Sequence, residues 1–130
     1  MGHRFGSIGE LGDNYGFRKI RGALGVTAFG VNAIVMPPGG EGIHHYHDTQ
    51  DELYFVHSGC ARFEVDGEVR ELGPGGLCHV SSTTGRRFSN ASDTDELVVL
   101  VIGGKGGYVG RDGHIDDPDE LQRRIEFGSS

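Results

Sequence analysis

Pro37-Pro38-Gly39-Gly40-Glu41-Gly42-Ile43-His44-His45-Tyr46-His47-Asp48-Thr49-Gln50-Asp51-Glu52-Leu53-Tyr54-Phe55-Val56-His57-Ser58-Gly59 is the stretch whose reading decides the fold. The prolines bring no amide hydrogen to a sheet ladder and the glycines permit a sharp reversal, so the β-rich run Leu24 to Met36 ends there. In the extended chain that follows, alternate side chains share a face. His45 and His47 therefore project together, and His44 and Tyr46 point the opposite way. Asp48 to Asp51 is polar and turn-like, and Glu52-Leu53-Tyr54-Phe55-Val56 reads as the next strand, stopped by Ser58-Gly59.

Working outward, Cys60 to Val65, Asp66-Gly67 and Glu68 to Leu72 form the clearest hairpin signal in the chain. A two-residue loop would set Val65 against Glu68 and Glu64 against Val69. A bulged loop with Gly67 left-handed sets Val65 against Val69 and Glu64 against Arg70, which suits both faces better and is the expected form. Leu77 to Val80 is a further strand, Ser81 to Gly85 a polar loop, and Arg86 to Phe88 another strand before a turn at Asn90 to Asp95. Leu97 to Ile102 is apolar throughout, as in a strand covered on both faces. The sum is about eight strands with the turn spacing of a sandwich or small barrel. Phe17 to Ile20 is a candidate strand in a glycine-punctuated N-terminal arm, residues 1–23, and the barrel core runs from about 24 to 104. In the tail, 105–130, Asp117-Pro118-Asp119-Glu120 has an N-cap, a proline at the first helical position and first-turn acids, so one short C-terminal helix is expected.

Composition agrees. The 130 residues, 14.0 kDa in mass, suit one domain, and 24 glycines with 4 prolines rule out long helices over most of the chain. With 12 basic against 19 acidic residues the formal charge is −7, so no uniform cationic field exists to draw nucleic acid or anionic lipid. The start carries no apolar leader and the longest apolar run is far short of the roughly 20 residues of a membrane span, so a cytoplasmic protein is expected. Cys60 and Cys78 are too few for a disulfide framework and read as small buried residues.

His45 and His47 on one face, with Glu52 brought back by a short loop, make two imidazoles and a carboxylate. This is a facial ligand set that leaves coordination positions for water, substrate or dioxygen. A solvated surface strand that binds nothing is the competing reading. The frame around the cluster decides: Gly39, five residues, His45, one, His47, four, Glu52, six, Gly59. In that frame the chain resembles the cupin superfamily, specifically a small single-domain cupin with a complete first motif. The resemblance covers roughly Leu24 to Gly104. It implies an all-β double-stranded β-helix, or jelly roll, whose interior holds a divalent metal (Fe, Mn, Ni or Zn) through His45, His47, Glu52 and a histidine from a second motif.

That second motif is degenerate. Alignment on Gly75 and Asn90 puts Ser81, Thr83 and Arg86 where the family has proline, glycine and the fourth ligand. A guanidinium has no lone pair to give. Three arrangements stay open. Metal is held by His45, His47 and Glu52 with Arg86 turned toward an anionic substrate; or His79 supplies the fourth ligand, which requires it rather than Cys78 to face inward; or metal is absent and Glu52 pairs with Arg86. Two unit charges 4 Å apart repel by about 4 kcal/mol at an effective dielectric of 20, and a dication by proportionally more, which is the argument for the last.

The function this implies is a metal-binding cupin whose pocket takes a small anionic or polyoxygenated molecule, with Arg86 and Tyr54 contacting it, as an oxygenase or a Lewis-acid isomerase or lyase. The alternative is a non-catalytic binding or sensing module with the Glu52–Arg86 pair in place of metal. A homodimer is expected by analogy with small cupins, with the N-terminal arm at its interface. Gly103 to Gly107 lacks the frame of a phosphate loop and reads as a turn. His3 and His114 have no evident partners.

Overall fold

The computed structural model describes residues 2–116. They form ten strands: β1 (Gly16–Arg18), β2 (Gly30–Met36), β3 (His45–His47), β4 (Asp51–Ser58), β5 (Ala61–Val65), β6 (Glu68–Leu72), β7 (Leu77–Val80), β8 (Arg86–Asn90), β9 (Leu97–Gly104) and β10 (Gly113–Ile115). Two five-stranded antiparallel sheets result, ordered β1-β2-β9-β4-β7 and β10-β3-β8-β5-β6. Their inner faces share one core: Tyr54, Val56, Val80, Leu97 and Val99 from the first sheet meet Ala61, Phe63 and Phe88 from the second. The rings of Tyr54, Phe63 and Phe88 lie 5.5 to 5.7 Å apart, at edge-on or tilted angles, and bridge the sheets. Burying each such side chain stabilises the fold by about 1.5–3 kcal/mol. This is the double-stranded β-helix that the sequence implied.

The apolar strand β9 is central, between β2 and β4. Leu97 and Val99 point into the core, whereas Val98 and Leu100 on the outer face are only half-buried, so one face is open in part and the expected double coverage is not found. On the outer side of β2, Val31, Ala33 and Val35 are buried, and a short helix, α1 (Ile20–Leu24), packs against that strand. The N-terminal arm thus contributes β1 at the sheet edge, a 3-10 turn (Ile8–Leu11) and α1, two short helical pieces that the sequence did not announce. The expected helix from Asp117 lies outside the described residues. Among those described, no helix is long and apolar enough to cross a membrane.

The β5–β6 hairpin takes the two-residue loop. Val65 opposes Glu68 and Glu64 opposes Val69, and Asp66 (φ 50°) and Gly67 (φ 82°) are both left-handed. Such a turn matches the natural twist of paired strands. The face-matching argument for a bulge fails because β6 is an exposed edge strand: Val69 is 58% exposed and gains nothing from facing Val65. Glu64 meets Arg87 of β8 instead, at 2.6 Å.

Candidate metal centre

Period-two alternation on β3 sends His45 and His47 inward, and their rings lie edge to face with centroids 5.1 Å apart. Outward, His44 pairs with Asp116 at 2.7 Å, and Tyr46 stacks on His114, whose Nε2 meets Asp48 at 2.8 Å. The polar loop 48–50 returns the chain to the other sheet, and Glu52 at the start of β4 faces the imidazoles. One ligand atom from each of His45, His47 and Glu52 falls within 4.8 Å of the others, the one such group among the described residues.

Hydrogen bonding at the far side of each ring fixes which nitrogen is offered. His45 Nδ1 lies 2.9 Å from the Ile43 carbonyl, and His47 Nδ1 lies 2.7 Å from the Asp112 carboxylate. Both partners only accept, so both Nδ1 atoms carry the hydrogen and both neutral rings present an Nε2 lone pair to the interior. These stand 3.9 and 3.2 Å from Glu52 Oε1, and His47 Nε2 is buried without a hydrogen-bond partner. Lone pairs of nitrogen and oxygen facing one another repel unless a proton or a cation sits among them. This donor set suits a divalent cation, with two imidazoles and a carboxylate on one side and coordination positions free on the other.

Burial alone would favour the neutral acid at Glu52, but the facing imidazoles of His45 and His47, which attract the carboxylate when protonated, and the Tyr54 hydroxyl outweigh it and hold this carboxyl well below the usual range. Burial likewise works against a charged His47. Glu52 and Asp112 on its two sides prevail over burial and over Arg86, raising its pKa above the ordinary 6.5. The metal-free cluster therefore holds a proton on His47 to higher pH than a free imidazole would, and a cation would compete with that proton.

Arg86 stands directly across from His45 on β8, at the fourth-ligand position, and is 1% exposed. Its guanidinium donates to the carbonyls of Ser82 and Ser81 at 3.1 and 3.3 Å and reaches that of Val80 at 3.5 Å. Nη2 lies 3.9 Å from Glu52 Oε1. Arg86 is thus enclosed rather than presented to an incoming anion, and its contact with Glu52 is longer than a hydrogen bond. Tyr54 is likewise enclosed: it is 2% exposed, and its hydroxyl donates to Glu52 Oε1 at 2.6 Å. Its pKa is driven well up, first by burial and then by the Glu52 charge, so it remains a donor. His79 pairs with Leu53 on the outer face while Cys78 pairs with Tyr54 and packs against the core, so His79 is not the fourth ligand. A hollow of about 350 Å³ is lined by Phe29, Asp51, Glu52, Leu53, His79, Ile102 and residues 103–107.

Asp112 and Gln50 belong to the site and went unread in the sequence. Asp112 is 65 positions from His47 in a glycine-rich tail without strand pattern, and no spacing rule links the two.

A double-stranded β-helix with two histidines and a glutamate gathered inside it defines a jelly-roll barrel with a candidate 2-His-1-carboxylate centre. The chain belongs to the cupin family, matching the cupin domain over residues 32–103, more than half of its length. Among solved structures it is similar to a cupin protein from Bacteroides fragilis, at 23% identity and TM-score 0.68 over 90% of this chain and 96% of that one. It is also similar to a sugar phosphate isomerase of the cupin superfamily from Silicibacter pomeroyi (26% identity, TM-score 0.66, 79% and 66% covered). A DMSP lyase, DddQ, from Ruegeria pomeroyi gives 24% identity and TM-score 0.61 over 71% and 45%. The chain spans about two thirds of that isomerase and less than half of that lyase. No match is found among curated proteins.

Proposed function

We propose that the protein is a metal-dependent cupin enzyme acting on a small anionic or polyoxygenated molecule, with His45, His47 and Glu52 holding the cation. The observation that carries this reading is the convergence of two Nε2 lone pairs, from rings whose Nδ1 atoms are already committed, on a Glu52 carboxylate held by the Tyr54 hydroxyl. When bound, a divalent cation supplies Lewis acidity and positions for substrate oxygens. The residues around it set the charge. Arg86 replaces a neutral imidazole by a fixed cation, so the cluster with a dication is one unit more positive than the family's three-histidine set and favours an anionic partner. Tyr54 and Arg86 hold the Glu52 carboxylate in place, and His45, with 27% of its side chain exposed, marks the open side. Strand register puts Asn32 on the inner face in the row of Val101 and Tyr54, where its amide can bind a hydroxyl or carbonyl.

Among metal-dependent reactions we favour isomerisation or elimination on an oxygenated anion, supported by the likeness to the Silicibacter pomeroyi isomerase. Plasma mass spectrometry on untagged protein tests the metal; about one equivalent of Mn, Fe, Ni or Zn is expected. Dioxygen uptake with substrate would move the assignment to an oxygenase. The reading as a metal-free binding module is favoured by one contact, Arg86 Nη2 to Glu52 Oε1 at 3.9 Å. Absence of metal, with none taken up on titration, selects it. We also propose a homodimer. β1 and α1 are used within their own chain, whereas Leu53 and Leu77 are exposed on the outer face of one sheet and Phe29 is exposed just before β2. Light scattering should give twice 14.0 kDa; a monomer at micromolar concentration rejects it.

A further inference from the structure

We propose that Asp112 is a positioning residue for His47, and that through it the segment 105–116 acts as a strap whose docking and metal occupancy favour one another. The inference rests on the metal reading above. Four donors converge on this one carboxylate: His47 Nδ1 at 2.7 Å and Gln50 Nε2 at 2.6 Å on Oδ1, and the backbone N–H groups of Thr49 and Gln50 at 2.8 and 3.0 Å on Oδ2. The side chain is 10% exposed. Asp112 therefore clamps one ligand and the loop leading to another, joining β3 to the start of β4.

The surroundings are shaped for this clamp. A Cβ on Gly113 would lie 3.3 Å from His47 Cε1, so the strap backbone rests on the imidazole. A Cβ on Gly103 would collide with the Gln50 amide oxygen, so that glycine leaves the room the amide occupies. The Asp112 carbonyl accepts from Asp48 N–H at 3.1 Å, and β10 pairs with β3 from Gly113 to Ile115. The strap itself lies beyond residue 103, where the family match ends.

An ionised carboxylate accepts only. It holds the hydrogen of His47 on Nδ1, aims the Nε2 lone pair at Glu52, and raises the basicity of that nitrogen. Coupling between two binding events is reciprocal: if the docked strap improves the metal site, metal must tighten the strap.

Asp112→Asn tests the inference sharply. One amide oxygen can serve the Thr49 and Gln50 N–H groups only if the NH2 group turns toward His47, which then must accept at Nδ1 and carry its hydrogen on Nε2. Nitrogen-resolved imidazole spectra of the metal-free protein near pH 9 should show His47 as the Nδ1–H form in the wild type and shifted toward Nε2–H in D112N. Co(II) affinity should fall about 10–100-fold. In unmodified protein, Co(II) should slow hydrogen exchange at residues 113–115 by roughly tenfold or more. An unchanged tautomer in D112N, unchanged affinity, or strap exchange indifferent to bound Co(II) overturns the inference and leaves the metal reading standing. If the wild type binds no Co(II), the coupling and the metal reading fall together, and the tautomer spectra decide the positioning role alone. The exchange measurement needs no variant, so it decides even if D112N does not fold.

Discussion

Glu52→Gln removes one charge and almost no volume, and its effect on metal-free stability should depend on pH in a way the cluster dictates. Near pH 6, His47 is protonated, because its pKa lies above 6.5, and its Nε2 stands 3.2 Å from Glu52 Oε1. Arg86 adds a second cation at 3.9 Å, a Coulomb attraction of about 4 kcal/mol at an effective dielectric of 20. Removing one partner from a buried charge cluster costs about 3–5 kcal/mol, so a loss of that size is expected at pH 6. As the pH rises through the His47 pKa the ring loses its proton, and the glutamine NH2 group can then donate to its lone pair, which offsets part of the damage. The remaining loss, from Arg86 and Tyr54, should be about 1–3 kcal/mol, Arg86 keeping its carbonyl contacts. The gap between the two pH values equals about 1.4 kcal/mol for each unit by which the substitution lowers the His47 pKa. Urea unfolding in EDTA at both pH values is the assay. Equal losses at pH 6 and pH 9, or a loss below about 1 kcal/mol at pH 6, would refute the electrostatic reasoning.

Three further outcomes follow from the same geometry. Glu52 and Asp112 titrate well below their ordinary values of 4.5 and 3.8, so the stability they contribute is present above about pH 4.5 and is lost as pH falls through their folded values; thermal unfolding from pH 6 to pH 2 should show this acid limb, shallower in Glu52→Gln. Tyr54→Phe keeps the aromatic packing and loses the 2.6 Å bond to a carboxylate, so it should cost about 1.5–3 kcal/mol by urea unfolding and weaken metal binding modestly. His79→Ala should leave Co(II) affinity unchanged by calorimetry, while His45→Ala and His47→Ala each lower it at least about 100-fold; an effect of His79→Ala comparable to theirs would contradict the outward placement.

Where short-range rules govern, the sequence is informative. Strand parity alone places His45 and His47 on one face and His44 and Tyr46 on the other, and the turn after Pro37-Pro38 delimits the strands either side of it. Parity also allows only one of Cys78 and His79 to face inward, and the long-range pairing of β7 with β4 selects Cys78. Such register is not written locally. The hairpin loop went the other way from the face-matching argument because an edge strand exposed on both sides lets the preferred turn geometry of Asp66-Gly67 prevail. The fate of Arg86 likewise needed three carbonyls, contributed by the end of β7 and the turn after it, that no residue pattern announces. Asp112 was illegible for the same reason: the strap reaches His47 only through the folded chain.

The central claim is that the His45, His47 and Glu52 donor atoms hold a cation. Titration of untagged, EDTA-stripped protein with Co(II), followed by visible absorption and calorimetry, tests it most directly. The account predicts saturation at one equivalent, with d–d bands that disappear in His47→Ala; no saturable binding, or binding that survives the loss of His47 and Glu52, contradicts it.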